Sequence, residues 1–409
     1  MNRSRSNLIP CRLMPAIFLS GILLDLSAKL QEEAIVNEPF SMKLFKCDHC
    51  GQPVYFENTY CVLCNAALGF DPQRMDLLAL QSADDNSYTL FDNKDSRKPS
   101  ATRYKYCSNK QYNVCNWLLP YDSEGVFCIA CELNRTIPDL GKPDHLTKWG
   151  HIETAKHRLI YSLLRFKLPV ISKTQDEDKG IAFDFLADEN TSEGKRLLTG
   201  HDHGLITLNI DEADDAIREM ARNRMDEVYR TVLGHFRHEI GHYYWDQLIK
   251  DTNRLQPFRD IFGDETSDYA EALKQHYNKP GSEAWSDKFI SAYASAHPWE
   301  DWAETWAHYL HIVDTMETAY AFGMTLNPGV ANRDNDISAR LNIDPYTTSS
   351  IEDIIERWIP LSFVMNSLNR SMGLKDSYPF VINEEVKMKL NFIHETIRGQ
   401  NFNFGMMII

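Results

Sequence analysis

The chain has 409 residues, 43% hydrophobic and 25% charged, which is globular composition with room for two or three domains. Acidic residues outnumber basic ones 58 to 43, a net charge of -15, which argues against general nucleic-acid binding by phosphate neutralisation and against acidic membrane surfaces. No apolar run is long enough to span a bilayer.

Residues 1–41 hold one apolar run, Ala16 to Leu24, broken by Ser20 and Gly21 and closed by Asp25. Arg3, Arg5 and Arg12 ahead of it suit a signal peptide, but Pro15 at its start and the lack of a small-x-small site do not. The favoured reading is an extension outside the mature fold, with a coherent region starting at Met42; a targeting role is the alternative. Cys11 is expected to be free.

Eight of the nine cysteines lie between 47 and 131. Close pairing points to metal rather than disulfides, hence to a reducing compartment and a cytoplasmic location. Cys47 and Cys50, then Cys61 and Cys64, form two facing CxxC pairs, each turn offering two thiolates to one tetrahedral zinc, with a two-stranded hairpin expected between. Cys107, Cys115, Cys128 and Cys131 form a looser second group, with ligand sharing between the groups left open. His49 is read as exposed rather than as a ligand. Four thiolates leave no open position, so residues 42–140 are read as tandem zinc ribbons with two structural zincs and no catalysis. Residues 70–103 are read as a polar connection between the two halves.

From Leu146 the pattern changes. His151 to Phe166 carries apolar residues at helical spacing and stops before Pro169. Strands are expected over 180–187 and 204–210, helix in one or two pieces over 211–250, and loop with short helix over 251–284. Further helices are expected over 299–321, starting after Pro298 and ending before Gly323, over 351–372 and over 384–398, around a turn-rich stretch at 325–350. The fold class is therefore α+β: tandem ribbons followed, over 146–398, by a mainly helical domain with a small sheet.

His238-Glu239-Ile240-Gly241-His242 is an HExxH motif. On a helix the two histidines share a face and can bind one zinc, while Glu239 can reach zinc-bound water as general base. Trp245 and Leu248 occupy the steps where a metzincin has Gly and His, which excludes that class. A catalytic zinc needs a third protein ligand. Downstream, Glu300, Glu304, His308 and His311 fall on one helical stripe, either a solvated face or the wall of a site.

HExxH followed by Glu-x-x-x-Glu on a second helix resembles the gluzincin metallopeptidases, among them thermolysin-like enzymes and anthrax lethal factor. The resemblance implies a zincin-like fold with Glu300 as third zinc ligand and Glu304 as the acid supporting a histidine ligand. The lethal-factor branch carries a tyrosine seven residues before its ligand glutamate; Tyr293 stands there and would donate to the oxyanion. From Met42 onward the chain also resembles a bacterial family of zinc-binding metallopeptidases with N-terminal zinc ribbons. Cys115-Asn-Trp117, Asn134-Arg135, Gly234 to His242, Tyr293 to His311 and Asn366 to Gly373 carry that likeness.

His201-Asp-His203 is read as a turn rather than part of a cleft, Gly204 to Ile210 as the edge strand for an extended substrate, and His235 as core or support to the histidines. Two functions stay open. One is a zinc hydrolase, a peptidase acting on protein or peptide with one catalytic zinc, whose ribbons position a protein partner or substrate. The other is a ribbon-based adaptor with a weakly active or inactive core. The intact Glu239 favours the first.

Overall fold

The computed structural model describes residues 43–83, 85–91, 102–187, 200–225, 231–278, 283–329 and 337–399. The expectations for residues 1–41, Cys11 included, lie outside them. The described residues all belong to one compact unit.

Strands β1 (Phe45–Lys46) and β2 (Pro53–Val54) pair as the expected antiparallel hairpin, with Phe45 and Val54 buried on one face. Both CxxC knuckles close the same way. Gly51 follows Cys50 at φ 80° and Asn65 follows Cys64 at φ 57°, each donating its N–H to the first cysteine's carbonyl at 2.8 Å. That left-handed position favours Gly and Asn.

Residues 70–103 are not a connection. β3 (Ala67–Asp71), β4 (Asp76–Ser82), β5 (Tyr88–Leu90), β6 (Arg103–Tyr106) and β7 (Leu118–Pro120) form one antiparallel five-stranded sheet in that order. Leu77, Leu78, Ala79 and Leu80 are all buried because both faces of β4 are covered, so the strand shows no alternation to read. The second cysteine group flanks β7.

Strand β8 (Asn134–Thr136) leads into helix α1 (His145–Arg165), which starts six residues before the expected His151. Asp144 at φ 62° turns the chain, and buried Trp149 extends the apolar stripe of Ile152, Leu159 and Leu163 backwards by a turn. A second sheet runs β10 (Gly200–Asp202), β11 (Leu205–Asn209), β9 (Ala182–Leu186), β8, with β11 and β9 parallel and β10 and β11 antiparallel. The edge strand is therefore β10, and the expected edge 204–210 lies one strand inside it. Gly204, at φ 80°, makes the intervening turn; a Cβ there would strike the Gly180 carbonyl.

A 3-10 turn at Ile210–Ala213 precedes α2 (Asp215–Met225) and α3 (Val232–Leu248), dividing the expected 211–250 helix. Residues 251–284 carry two short helices, α4 (Leu255–Phe262) and α5 (Tyr269–Asn278), and none of the α5 side chains is buried. Helix α6 (Pro298–Ala321) opens on Pro298 and stops before left-handed Gly323, as expected. Among the described residues of 325–350 the strands are the two-residue pair β12 (Thr325–Leu326) and β13 (Ala339–Arg340), before α7 (Ile351–Ser371) and α8 (Glu384–Arg398).

One apolar core runs from Phe45 in the ribbons to Ile397 in α8. Phe56 and Phe70 of the ribbon region pack against Tyr161 of α1 with ring centroids 5.4 and 5.9 Å apart. Among the described residues no helix is long and apolar enough to cross a membrane.

Candidate metal centre

Helix α3 starts at Thr231, whose side chain accepts the Gly234 N–H at 2.9 Å. Apolar Phe236, Ile240 and Tyr244 bury one side, leaving His238 and His242 together on a facing side. Gly241 lets α6 come close: a Cβ there would sit 3.1 Å from the Ala303 Cα and 3.2 Å from the Trp306 Cβ. The Trp302 indole seals the crossing by donating to the Gly241 carbonyl at 2.8 Å. This approach brings Glu300 and Glu304 of α6 over the two histidines.

His238 Nε2 lies 3.0 Å from Glu300 Oε2 and 3.2 Å from His242 Nε2, and His242 Nε2 lies 3.5 Å from the same oxygen. Ligand bonds of about 2.0–2.1 Å to tetrahedral zinc set ligand–ligand edges of about 3.3 Å, so the triangle is the right size. The His238 Nδ1–H donates to Glu304 Oε1 at 2.7 Å, which leaves Nε2 with its lone pair toward Glu300. Glu300 Oε2 is itself buried without a hydrogen-bond donor. Electron-rich atoms held this close, one an orphaned carboxylate oxygen, form a donor set that a cation completes. Ser291 donates to Glu304 Oε2 at 2.7 Å and fixes that carboxylate's far side.

Burial works to raise the Glu300 pKa, but the His242 and His238 imidazoles outweigh it and hold the carboxyl well below its usual range. For Glu239, burial wins over the same imidazoles and raises the pKa. Tyr293 stands in a 3-10 turn, Tyr293–Ala296, with its ring centroid 5.9 Å from that of His238. Burial, then the Glu300 charge, keeps its hydroxyl protonated far above the usual tyrosine range. Glu239 and Tyr293 thus lie close to His238, His242 and Glu300, a group that could hold a metal ion.

The rest of the polar stripe is neither solvated nor part of this centre. His308 is buried and its Nδ1 lies 2.8 Å from the Tyr378 hydroxyl, while His311 pairs with Arg237. His235 Nδ1 sits 3.6 Å from Glu212 Oε2. His201, expected in a turn, instead lies on β10 with its ring 6.2 Å from that of His242, and it accepts the Gly204 N–H at Nε2, 2.8 Å away. Burial, then the neighbouring His242, pushes its pKa down to about 3. His203 occupies the turn as expected, exposed at φ 46°. A cavity of about 410 Å³ beside the centre is lined by His201, Trp245, Tyr269 and Trp299, among others.

The cysteines form two separate tetrads, Cys47, Cys50, Cys61 and Cys64, and Cys107, Cys115, Cys128 and Cys131. Zinc–sulfur bonds of about 2.3 Å imply sulfur–sulfur edges of about 3.8 Å. The Cys47–Cys64, Cys50–Cys61 and Cys115–Cys128 separations are 3.7, 3.5 and 3.8 Å. His49 is exposed and stacks on Phe91 instead of joining the first tetrad.

A family model described as "putative zinc-binding metallo-peptidase" matches residues 145–396, and a zinc-ribbon domain model matches residues 44–142. The chain belongs to that metallo-peptidase family. Uncharacterised proteins of Mycobacterium bovis and Mycobacterium tuberculosis are 42% identical to it over 357 residues, 87% of this chain and 95% of theirs. No solved structure matches the chain. For this member of the family the fold is α+β, ribbons followed by a helical metallopeptidase-like domain, and zinc is supported by both the family and the two tetrads.

Contacts in two places escaped the sequence reading. Tyr269 donates to Glu300 Oε1 at 2.6 Å, and Trp299 packs on His242 with centroids 4.0 Å apart. Beside the second tetrad, Cys131 Sγ lies 3.6 Å from His157 Nε2 and 3.8 Å from Glu153 Oε2 of α1. His157 Nδ1–H donates to the Glu153 carbonyl at 2.6 Å, and Lys156 reaches the Glu153 carboxylate at 2.9 Å. The i, i+4 spacing of Glu153 and His157 was the available signal.

Proposed function

We propose that the chain is a zinc-dependent peptidase in which His238, His242 and Glu300 hold the catalytic ion. The observation that carries this reading is the triangle of Nε2, Nε2 and Oε2 atoms with an orphaned carboxylate oxygen at one corner. Zinc in such a site supplies Lewis acidity, which acidifies water and polarises a carbonyl. Glu239 takes the proton of the attacking water and passes it to the leaving amine. Tyr293 keeps its hydroxyl proton and donates to the oxygen where negative charge develops. Glu304 holds the His238 ring in the tautomer that leaves Nε2 free for metal. Edge strand β10, which carries His201, offers its backbone to an extended peptide.

The two tetrads are structural and closed, and the ribbon surface is where a protein partner or substrate would be held. Eight reduced thiols suit a cytoplasmic protein.

The test is Glu239→Gln in the full chain, with elemental analysis alongside a peptide-library assay. About three zincs per chain are expected in both proteins, with hydrolysis down about 10²–10⁴-fold in the variant. A wild-type chain that retains three zincs and cleaves nothing in the library would favour the adaptor reading.

A further inference from the structure

The two oxygens of Glu300 have different surroundings. Oε2 faces His238 and His242, 3.0 and 3.5 Å away. Oε1 accepts the Tyr269 hydroxyl at 2.6 Å. Tyr269 is the first residue of α5, a surface helix with no buried side chain, yet its ring is fixed. It stands edge-on to His297 at 5.2 Å and to Trp299 at 6.1 Å, centroid to centroid. His297 in turn caps α6 by accepting the Trp299 N–H at 3.1 Å, three residues before Glu300. The hydroxyl is thus anchored to the helix that carries the carboxylate it touches.

We infer that Tyr269 is a positioning residue that commits one oxygen of Glu300 to itself, so that the carboxylate offers the metal a single oxygen. This rests on the metal-centre reading above and deepens it. A carboxylate can bind a metal through one oxygen or two. Two histidines and a one-oxygen carboxylate leave a position open for substrate and water, whereas a two-oxygen carboxylate crowds it. An outer hydrogen bond of this kind also orients the ligand. Tyr269 further lines the cavity beside the centre, so the residue that keeps the position open borders the space from which substrate would come.

The variant is Tyr269→Phe, which keeps the ring between His297 and Trp299 and deletes only the hydroxyl. The full chain is used with zinc in its tetrads and cobalt(II) exchanged into the open site after mild chelation. Wild type should show the intense visible absorption of four-coordinate cobalt. Tyr269→Phe should bind cobalt with an unchanged melting temperature but a weaker spectrum, that of a higher-coordinate ion. Tyr121→Phe, which deletes a hydroxyl in the ribbon region that donates to the Asp85 carbonyl, should keep the wild-type spectrum. Superimposable spectra for wild type and Tyr269→Phe would overturn the inference while leaving the metal centre standing. A wild-type chain that takes up no cobalt after chelation would overturn the metal centre and the inference with it.

Discussion

The two cysteine tetrads and the histidine–glutamate triangle are built by opposite strategies. Each tetrad draws its ligands from a short stretch, 47–64 or 107–131, and CxxC knuckles at 47/50, 61/64 and 128/131 aim their sulfurs locally. The triangle draws on two helices whose ligands lie far apart in the chain, His242 and Glu300, and only the packing of α3 on α6 brings them together. Four local thiolates close a site and hold a fold in place. Three distant donors would leave one vertex of a bound ion open, and their alignment depends on the whole core.

The tetrads also differ from each other. In the first, Cys50 is exposed and Cys64 half-buried, while all four cysteines of the second are buried and Cys131 abuts His157 and Glu153 of α1. Losing Cys128 should therefore have the largest effect. Cys128→Ser should release that zinc, whose binding is worth on the order of 10 kcal/mol, and unfold the ribbons together with α1. Cys50→Ser should lower the melting temperature less and leave the zinc proposed at His238, His242 and Glu300 in place. Equal melting losses for both would erase the distinction between the tetrads.

Glu304→Gln addresses the open site alone. It should lower zinc affinity there by about 10–100-fold, measured by competition with a metal chelator, and leave both tetrads loaded. An unchanged affinity would mean that the His238 tautomer does not depend on Glu304. A smaller effect is expected from Gly241→Ala, which adds a methyl where α3 and α6 meet. Backbone atoms 3.1 Å away must give, at a cost of about 1–3 kcal/mol in denaturant unfolding. Because that methyl separates the histidines from Glu300, zinc affinity should fall alongside stability. A loss of stability with full zinc affinity would show that the triangle tolerates movement of the helices.

Local signals were the legible ones. The knuckles, the HExxH helix behind Thr231, and the bounds of α6 at Pro298 and Gly323 all follow from residues within a few positions of each other. Strand β4 was lost because a strand covered on both faces carries a continuous apolar run with no period, set here in a polar stretch. The edge strand was placed one strand too far in because the Gly204 hairpin puts β10 outside β11, and pairing order is not written in either strand. His201 and Tyr269 reach the centre from elements about 40 and 31 residues away from their partners His242 and Glu300, so no spacing rule could have joined them. The stripe from Glu300 to His311 was visible as a stripe, but its split between metal-facing and core roles is set by Tyr378 and Arg237, which lie elsewhere in the chain.

The contact of Phe56 and Phe70 with Tyr161 bears on modularity. The Tyr161 hydroxyl donates to both oxygens of Glu317, on the same helix as Glu300, at 2.9 and 3.0 Å. Arg158, one turn earlier on α1, reaches back to Glu57 at 2.7 Å. A chain begun after residue 142 would leave that aromatic face bare and Arg158 without its Glu57 partner, so the ribbon region acts as a wall of the metallopeptidase-like domain and not as a detachable tag. Grafting it onto another protein, or trimming it away to isolate the C-terminal domain, would divide a single hydrophobic interior.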